Sequence, residues 1–455
     1  MSAPGIILAA PASGSGKTTI TLALLRAFRR RGCAVGAFKV GPDYLDPMLH
    51  ARAAGRPSLN LDGWAMRLET LAGLADEVAE GVDLVLGEGV MGLFDGAADG
   101  RGSTADLASL FDLPVVLVVD ARGMAASVAA LVEGFTRHRD DVEVAGVLLN
   151  RVAGAEHEAL LRRACDDRFA QPVLACLPSD PRLELPARHL GLVQAAELSD
   201  LEGFLERAAD LVDERTDLDR LMRLARPFGL GLYGPPARPL RPLGQRIAVA
   251  DDLAFGFAYP ATLEGWRRAG AEILRFAPLA DQAPDPGADA VYLPGGYPEL
   301  HAGRLAASRG FLGGLRAAAA RGAFVYGECG GFMALGRTLT DRAGTAHAMA
   351  GLLPVATSFA LPRLQLGYRR LKLLEPTPLG AAGATFRGHE FHYASLVEGG
   401  AAAPLFEVAD ARGRRLGSMG ARAGSVAGSF LHLIDRSNER EATATSSRHL
   451  RLIEE

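Results

Sequence analysis

Gly5-Ile6-Ile7-Leu8-Ala9-Ala10-Pro11-Ala12-Ser13-Gly14-Ser15-Gly16-Lys17-Thr18-Thr19 is an apolar run that enters a small, flexible loop and closes on Lys-Thr-Thr. A helix-forming stretch from Ile20 to Arg31 follows. Strand, glycine-rich loop and helix in that order make a P-loop, whose backbone N–H groups cradle phosphates at a helix N-terminus. Gly14, Ser15, Gly16, Lys17, Thr18 and Thr19 are the expected nucleotide contacts, with Lys17 reaching the β/γ-phosphates and Thr18 available to Mg²⁺. The loop departs from the usual pattern at one position, where Pro11 stands for the first glycine.

Working outward, Ala34 to Val40 reads as a second strand and ends in Lys39-Val40-Gly41-Pro42-Asp43-Tyr44-Leu45-Asp46-Pro47. Open α/β sheets bind ligands at such carboxyl ends. Lys39 can meet a phosphate or a carboxylate, and Asp43 or Asp46 can meet Mg²⁺; alternatively both acids only hold the turn. The run Asp83 to Gly96 carries Glu88 where a carboxylate helps hold Mg²⁺ against a triphosphate. Strands Val115 to Asp120 and Val144 to Leu149 complete a largely parallel sheet, and Asn150 after the last is positioned for an adenine edge. His138 and His157 read as solvated.

An amphipathic helix is expected over Leu201 to Ala225, followed by a Pro-rich connector that marks a boundary. Beyond it, Arg246–Ala250, Glu272–Phe276 and Ala290–Leu293 read as strands of a second α/β unit, with a helix near 260–268. The third strand delivers Gly295 and Gly296, whose N–H groups can form an oxyanion hole. Then comes Val325-Tyr326-Gly327-Glu328-Cys329-Gly330-Gly331-Phe332, a cysteine form of the nucleophile elbow. The sequence predicts an exposed thiol with a lowered pKa at a helix N-terminus. His432, at the end of an apolar strand-like run, is the expected base. His389 and His392, three apart on a strand, face opposite sides and do not make a zinc pair.

The chain is α/β, with a P-loop parallel-sheet domain over 1–226, a linker over 227–245, a second α/β domain over 246–435 and a polar tail over 436–455. At 455 residues it is too long for one core. A formal net charge of -4 leaves no basic surplus for nucleic acid. The four cysteines form no CxxC pair, as expected of reduced thiols. No signal peptide is read at the N-terminus, and no run of about 18 apolar residues predicts a membrane span. A cytoplasmic location is expected. An ATP site joined to a cysteine nucleophile points to an amide ligase fed with ammonia by a glutaminase.

Six motifs together resemble the cobyrinic/hydrogenobyrinic acid a,c-diamide synthases of cobalamin biosynthesis: the P-loop with its proline, the runs 39–47 and 88–96, Gly295-Gly296-Tyr297-Pro298-Glu299, Gly327-Glu328-Cys329-Gly330-Gly331, and Gly388-His389-Glu390-Phe391-His392-Tyr393. The likeness runs from about residue 4 to 435. It implies a dethiobiotin-synthetase-like ATP domain and a class I-type glutamine amidotransferase domain. ATP, L-glutamine and hydrogenobyrinic or cobyrinic acid are the implied partners, Mg²⁺ the cofactor. Leu293 to His301 is more similar to the metal-free-ring branch. By resemblance Cys329 attacks glutamine, His432 assists, Lys17 and Lys39 serve phosphoryl transfer, and Tyr44 and Leu45 approach the corrinoid. Ile434 stands where many such glutaminases carry a glutamate that orients the histidine, so a Cys-His dyad is implied; Asp435 and Glu390 are the remaining acids to consider. Oligomeric state is left open, a homodimer included. The rival from another class is a P-loop switch ATPase with a non-catalytic second domain; within the class it is a cobyric acid synthase.

Overall fold

Near-continuous apolar runs become strands covered on both faces, the usual state of a parallel sheet flanked by helices. In the computed structural model these are β1 (Pro4–Ala9), β2 (Val35–Val40), β3 (Ser58–Leu61), β4 (Leu84–Glu88), β5 (Val115–Asp120), β6 (Val144–Val152) and β7 (Val173–Pro178). Their order is β3-β2-β4-β1-β5-β6-β7, every pairing parallel, with Arg226–Pro227 added antiparallel to β1. The structure describes residues 3–166, 168, 171–188, 191–231, 238–398 and 402–437. Residues 232–237 of the Pro-rich connector and 438–455 of the polar tail lie outside it.

The chain divides into two units, one of residues 1–64 and 71–237, the other of 65–70 and 238–455. In the first, α1 (Lys17–Arg30) and the helix Leu201–Arg215 share a core with β1 and β5, including Ile6, Leu25, Val116 and Leu205. Arg26, nearly buried, is held to the second of these helices by Glu202 at 2.6 Å and Glu206 at 2.9 Å. The single helix expected over 201–225 is two, Leu201–Arg215 and Leu218–Leu224. Asp217 breaks it, because its side chain caps the second helix by accepting from the Arg220 N–H at 2.8 Å, a local bond that competes with helix continuation.

The second unit holds a six-stranded sheet in the order Glu272–Phe276, Arg246–Ala250, Ala290–Leu293, Phe324–Glu328, Val426–Ser429, Ala421–Ala423, parallel except for the last strand. One face packs on a five-stranded antiparallel sheet that includes Gln365–Leu373, Thr385–His392 and Leu431–Arg436. Ile247, Tyr292 and Tyr326 from one sheet meet Leu371, Phe386 and Leu433 from the other. The antiparallel sheet escapes a sequence reading because its strands are partly polar and irregularly spaced along the chain. Among the described residues no helix is long and apolar enough to cross a membrane.

Asp435 at the end of the strand Leu431–Arg436 is fully buried, and burial raises its pKa against the opposing pull of Arg67. Arg67 meets it with its guanidinium at 2.9 Å and its backbone N–H at 2.9 Å. This pair ties the segment 65–70 into the second unit. Removing one partner of a buried pair leaves an uncompensated charge. Arg67→Ala is therefore expected to lower the stability of this unit by about 3 kcal/mol in denaturant titration. Adding Asp435→Asn should recover part of the loss.

Candidate active site

Strand Phe324–Glu328 ends and helix Gly330–Leu335 begins with a single residue between them. That residue, Cys329, takes φ 47° and ψ -103°. A left-handed φ at a non-glycine residue is strained, and strain of this kind persists only where the surroundings over-determine it. Here they do: a Cβ on Gly331 would press on the Leu293 carbonyl, one on Gly327 would sit 2.6 Å from the Gly331 backbone, and one on Gly428 would sit 2.7 Å from the Gly327 carbonyl. The Cys329 N–H donates to the Ser429 carbonyl at 2.8 Å.

The thiol is buried, at 1% exposure, against the expectation of an exposed one. Its pKa is raised, not lowered: burial is the main cause and Glu299 adds to it, while the Gly330 N–H opposes. The helix behind it has six residues, and its partial charge is too small to outweigh desolvation. Gly295 lies against Cys329 and His432 together. A Cβ placed on it would collide with the imidazole, 3.2 Å from Nε2, and would stand 3.4 Å from the Cys329 Cβ. The Gly296 N–H is 3.1 Å from the corresponding point on Gly330. The structure thus gathers Cys329, His432, Gly295 and Gly296.

His432 does not end its apolar run. The run splits at Phe430: Val426–Ser429 stays in the parallel sheet, and Leu431–Arg436 crosses into the antiparallel one, with His432 second and paired in register with His389. Burial, then His389 and His392, lowers its pKa to about 3, so the ring is a neutral base. Glu390 is engaged by Arg369 at 2.7 Å and His392 at 3.0 Å, and Asp435 by Arg67, so neither acid has its carboxylate turned to the histidine. Sequence reasoning passed over Glu328, whose carboxylate is 3.9 Å from His432 Nδ1.

In the first unit Gly14 and Gly16 take φ 79° and 90°, and α1 starts at Lys17. Lys17 Nζ donates to the Met91 carbonyl at 2.7 Å; burial and then Lys39 lower its pKa to about 8. Thr18 Oγ1 donates to Glu88 at 2.7 Å. Lys39 Nζ lies 2.8 Å from Glu88 and 2.5 Å from Asp46, and His50 Nε2 is 2.6 Å from the other Glu88 oxygen. Burial opposes charge on both Lys39 and Glu88, yet their mutual attraction, with Asp46 and His50, keeps both ionised. Burial and then Asp43 raise the pKa of Asp46 to about 7.

Asp43 holds the turn, accepting from the N–H groups of Leu45 at 2.8 Å and Asp46 at 2.9 Å. Tyr44 and Leu45, at the start of α2 (Leu45–Ala54), are buried. Asn150 donates to the Ser15 carbonyl at 2.9 Å, and Ser15 and Thr19 donate to the Ala12 and Leu183 carbonyls. Among residues not anticipated, Arg151 donates to the Gly14 carbonyl at 2.7 Å. His50 was legible: it stands four residues after Asp46 on α2, hence on the same face. His157, expected in solvent, bridges the Ala153 N–H and the Met124 carbonyl at 3.0 and 2.7 Å. Thr18, Glu88 and Asp46 carry oxygen donors, the type Mg²⁺ takes together with phosphates; here the Glu88 and Asp46 oxygens are engaged by Thr18, Lys39 and His50.

Residues 6–193 match the family described as the CobQ/CobB/MinD/ParA nucleotide binding domain, and residues 246–439 the CobB/CobQ-like glutamine amidotransferase domain. A hydrogenobyrinate a,c-diamide synthase of Brucella anthropi is 55% identical over 438 residues, covering 96% of this chain and 99% of the relative. One from Brucella abortus is 56% identical over 437 residues with the same coverage, and one from Rhodobacter capsulatus is 54% identical over 435 residues, covering 94% and 98%.

The crowding at Gly295 yields a test. Gly295→Ala should push the His432 ring away from Cys329 and slow alkylation of that thiol by iodoacetamide about tenfold or more, with circular dichroism unchanged. An unaltered alkylation rate would show that the ring and the thiol do not act together.

Proposed function

The chain belongs to the hydrogenobyrinate a,c-diamide synthase family, and on that premise we propose that it amidates the a and c acetate carboxylates of hydrogenobyrinic acid in cobalamin biosynthesis, using ATP and glutamine. It is a ligase that takes its amide nitrogen from glutamine. The observation that carries the finer reading is the meeting of a strained cysteine, a neutral histidine and a Gly-Gly loop in a chain that also builds a P-loop.

In the second unit, His432 Nε2 takes the Cys329 proton and Sγ adds to the side-chain carbonyl carbon of glutamine. The oxyanion is met by the N–H groups of Gly295 and Gly296. His432 returns the proton to the leaving nitrogen, ammonia departs, and water hydrolyses the γ-glutamyl thioester to glutamate and free thiol. In the first unit, a ring carboxylate attacks the γ-phosphorus of ATP, giving an acyl phosphate and ADP. Ammonia then displaces phosphate, leaving the amide.

Catalysis of phosphoryl transfer is mostly positioning and charge neutralisation. Lys17 and Lys39 supply the positive side chains, and the P-loop N–H groups of residues 14–19 hold the phosphates. Thr18, Glu88 and Asp46 would hold Mg²⁺, which neutralises charge on the triphosphate when bound. Asp43, occupied with the turn, is the weaker of the two aspartates for that role. Asn150 keeps the P-loop in shape, and Tyr44 and Leu45 set the floor from which the corrinoid is approached.

Cys329→Ala should abolish glutamine-supported amidation, a loss of about 10³-fold or more, while amidation with added ammonia continues. Lys17→Ala should stop turnover with either nitrogen source. Mass spectrometry of the product should show two carboxyl-to-amide exchanges on the metal-free ring; four exchanges, or reaction of the cobalt ring alone, would reject the assignment.

Lys17 supplies a pH test. Its pKa of about 8 in the free enzyme rises when phosphates surround it, so ATP binding near pH 8.5 should take up a proton. Calorimetry in buffers of different ionisation enthalpy measures this uptake, and Lys17→Ala should remove it.

A further inference from the structure

Glu328 is buried at 3% exposure in the last position of the elbow strand, adjacent to the nucleophile. Three donors converge on its carboxylate: the Tyr292 hydroxyl at 2.8 Å, the Tyr326 hydroxyl at 3.2 Å and the Leu433 N–H at 3.1 Å. The last comes from the residue after His432, so the histidine strand itself is pinned to this acid. The fourth direction is the imidazole, with Nδ1 at 3.9 Å. The other ring nitrogen, Nε2, lies beside Gly295: a Cβ there would stand 3.2 Å from Nε2 and 3.4 Å from the Cys329 Cβ. The acid is thus met by Nδ1, and Nε2 is the nitrogen on the Gly295 side, where the thiol also lies.

We propose that Glu328 is the positioning residue of His432, completing a Cys-His-Glu arrangement in which the acid comes from the elbow and not from the histidine strand, where Ile434 occupies the usual place. This rests on Cys329 as nucleophile and His432 as its base. The carboxylate fixes the tautomer with the proton on Nδ1, which makes Nε2 the basic nitrogen that accepts the thiol proton. The proton passes from Sγ to Nε2, and the imidazolium so formed directs Nδ1–H to Glu328. A separation of 3.9 Å exceeds a hydrogen bond, and catalytic contacts of this kind commonly tighten when substrate binds. The acid is not a fixed anion: burial raises its pKa to about 7 against the three donors.

The titratable and charged groups around the pair are Tyr292 and Tyr326 on Glu328, His389 and His392 on His432, Glu299 and Glu390 near the thiol, and Arg241 on the wall of the small cavity that Glu328 also lines. His389 titrates far below neutrality, at about 3, and both tyrosines far above it, so they do not supply a limb near pH 7.

Two measurements test the inference. In the wild-type enzyme, ¹⁵N spectra of labelled histidine, with His432→Asn to assign the signal, should show His432 protonated at Nδ1 above about pH 7; an Nε2–H tautomer would overturn the proposal without any change to Glu328. In Glu328→Gln the amide N–H turns Nδ1 into an acceptor and the tautomer inverts. Glutamine-supported kcat should fall about 10²-fold or more, KM for glutamine should change less than about threefold, and the limb near pH 7 should disappear. Amidation with added ammonia should stay within about twofold, and Glu328→Asp should regain part of kcat. Full activity in Glu328→Gln with an unchanged pH profile would reduce the acid to a packing role. If Cys329→Ala also keeps its glutamine turnover, the underlying nucleophile assignment fails instead.

Discussion

The second unit depends on one backbone constraint, the left-handed turn at Cys329. A residue held at φ 47° stores on the order of 1–3 kcal/mol, and no local preference of cysteine offsets it. What offsets it is the close seating of the helix Gly330–Leu335 on the sheet at positions where side chains are missing. Gly331 lies on the Leu293 carbonyl, Gly327 against the Gly331 backbone and Gly428 against the Phe332 ring, so the chain between strand Phe324–Glu328 and the helix has a single course. Gly388 extends the same logic into the antiparallel sheet, where a Cβ would sit 2.5 Å from the His432 carbonyl. The glycines thus fix both the thiol and the strand that carries the histidine.

That explains which parts were legible in the sequence. Strands β1, β2, β4, β5 and β6, the P-loop and the elbow are written in short contiguous patterns whose meaning is local, whereas β3 and β7 were not read. The state of the thiol was not legible either, because its pKa follows from how completely the second sheet covers it, and that sheet is assembled from segments far apart in the chain. The split at Phe430 was hidden for a related reason. Val426 to Ile434 is apolar almost throughout, and only the pairing partners reveal that it serves two sheets. Asp217 shows the opposite case, a helix stop that was visible in principle and masked by the amphipathic pattern on either side.

Glu328 carried a readable signal. Phe324, Tyr326 and Glu328 alternate along one strand and so share a face, and Tyr292 is paired in register with Tyr326 on the neighbouring strand. An acid in line with aromatic residues on a core-facing side has to be satisfied by hydrogen bonds. The two tyrosine hydroxyls do this from within the same face.

Glu88 and Glu328 form an internal comparison. Each is the last residue of a central parallel strand, each is almost wholly buried, and each stands beside the working group of its unit. Glu88 is surrounded by Lys39, His50 and the Thr18 hydroxyl, so it stays ionised well below the usual carboxylate range. Glu328 is surrounded by neutral donors alone, and desolvation carries its pKa to about 7. Their effects on stability run in opposite directions. The contribution of Glu88 is present above its unfolded pKa and is lost as pH falls through its folded value, whereas Glu328 costs stability progressively as pH rises from about 4.5 to about 7. On the proposed mechanism, a permanent anion would suit a pocket that balances cations and triphosphate, and an acid titrating near neutrality would suit a site where a proton moves and returns.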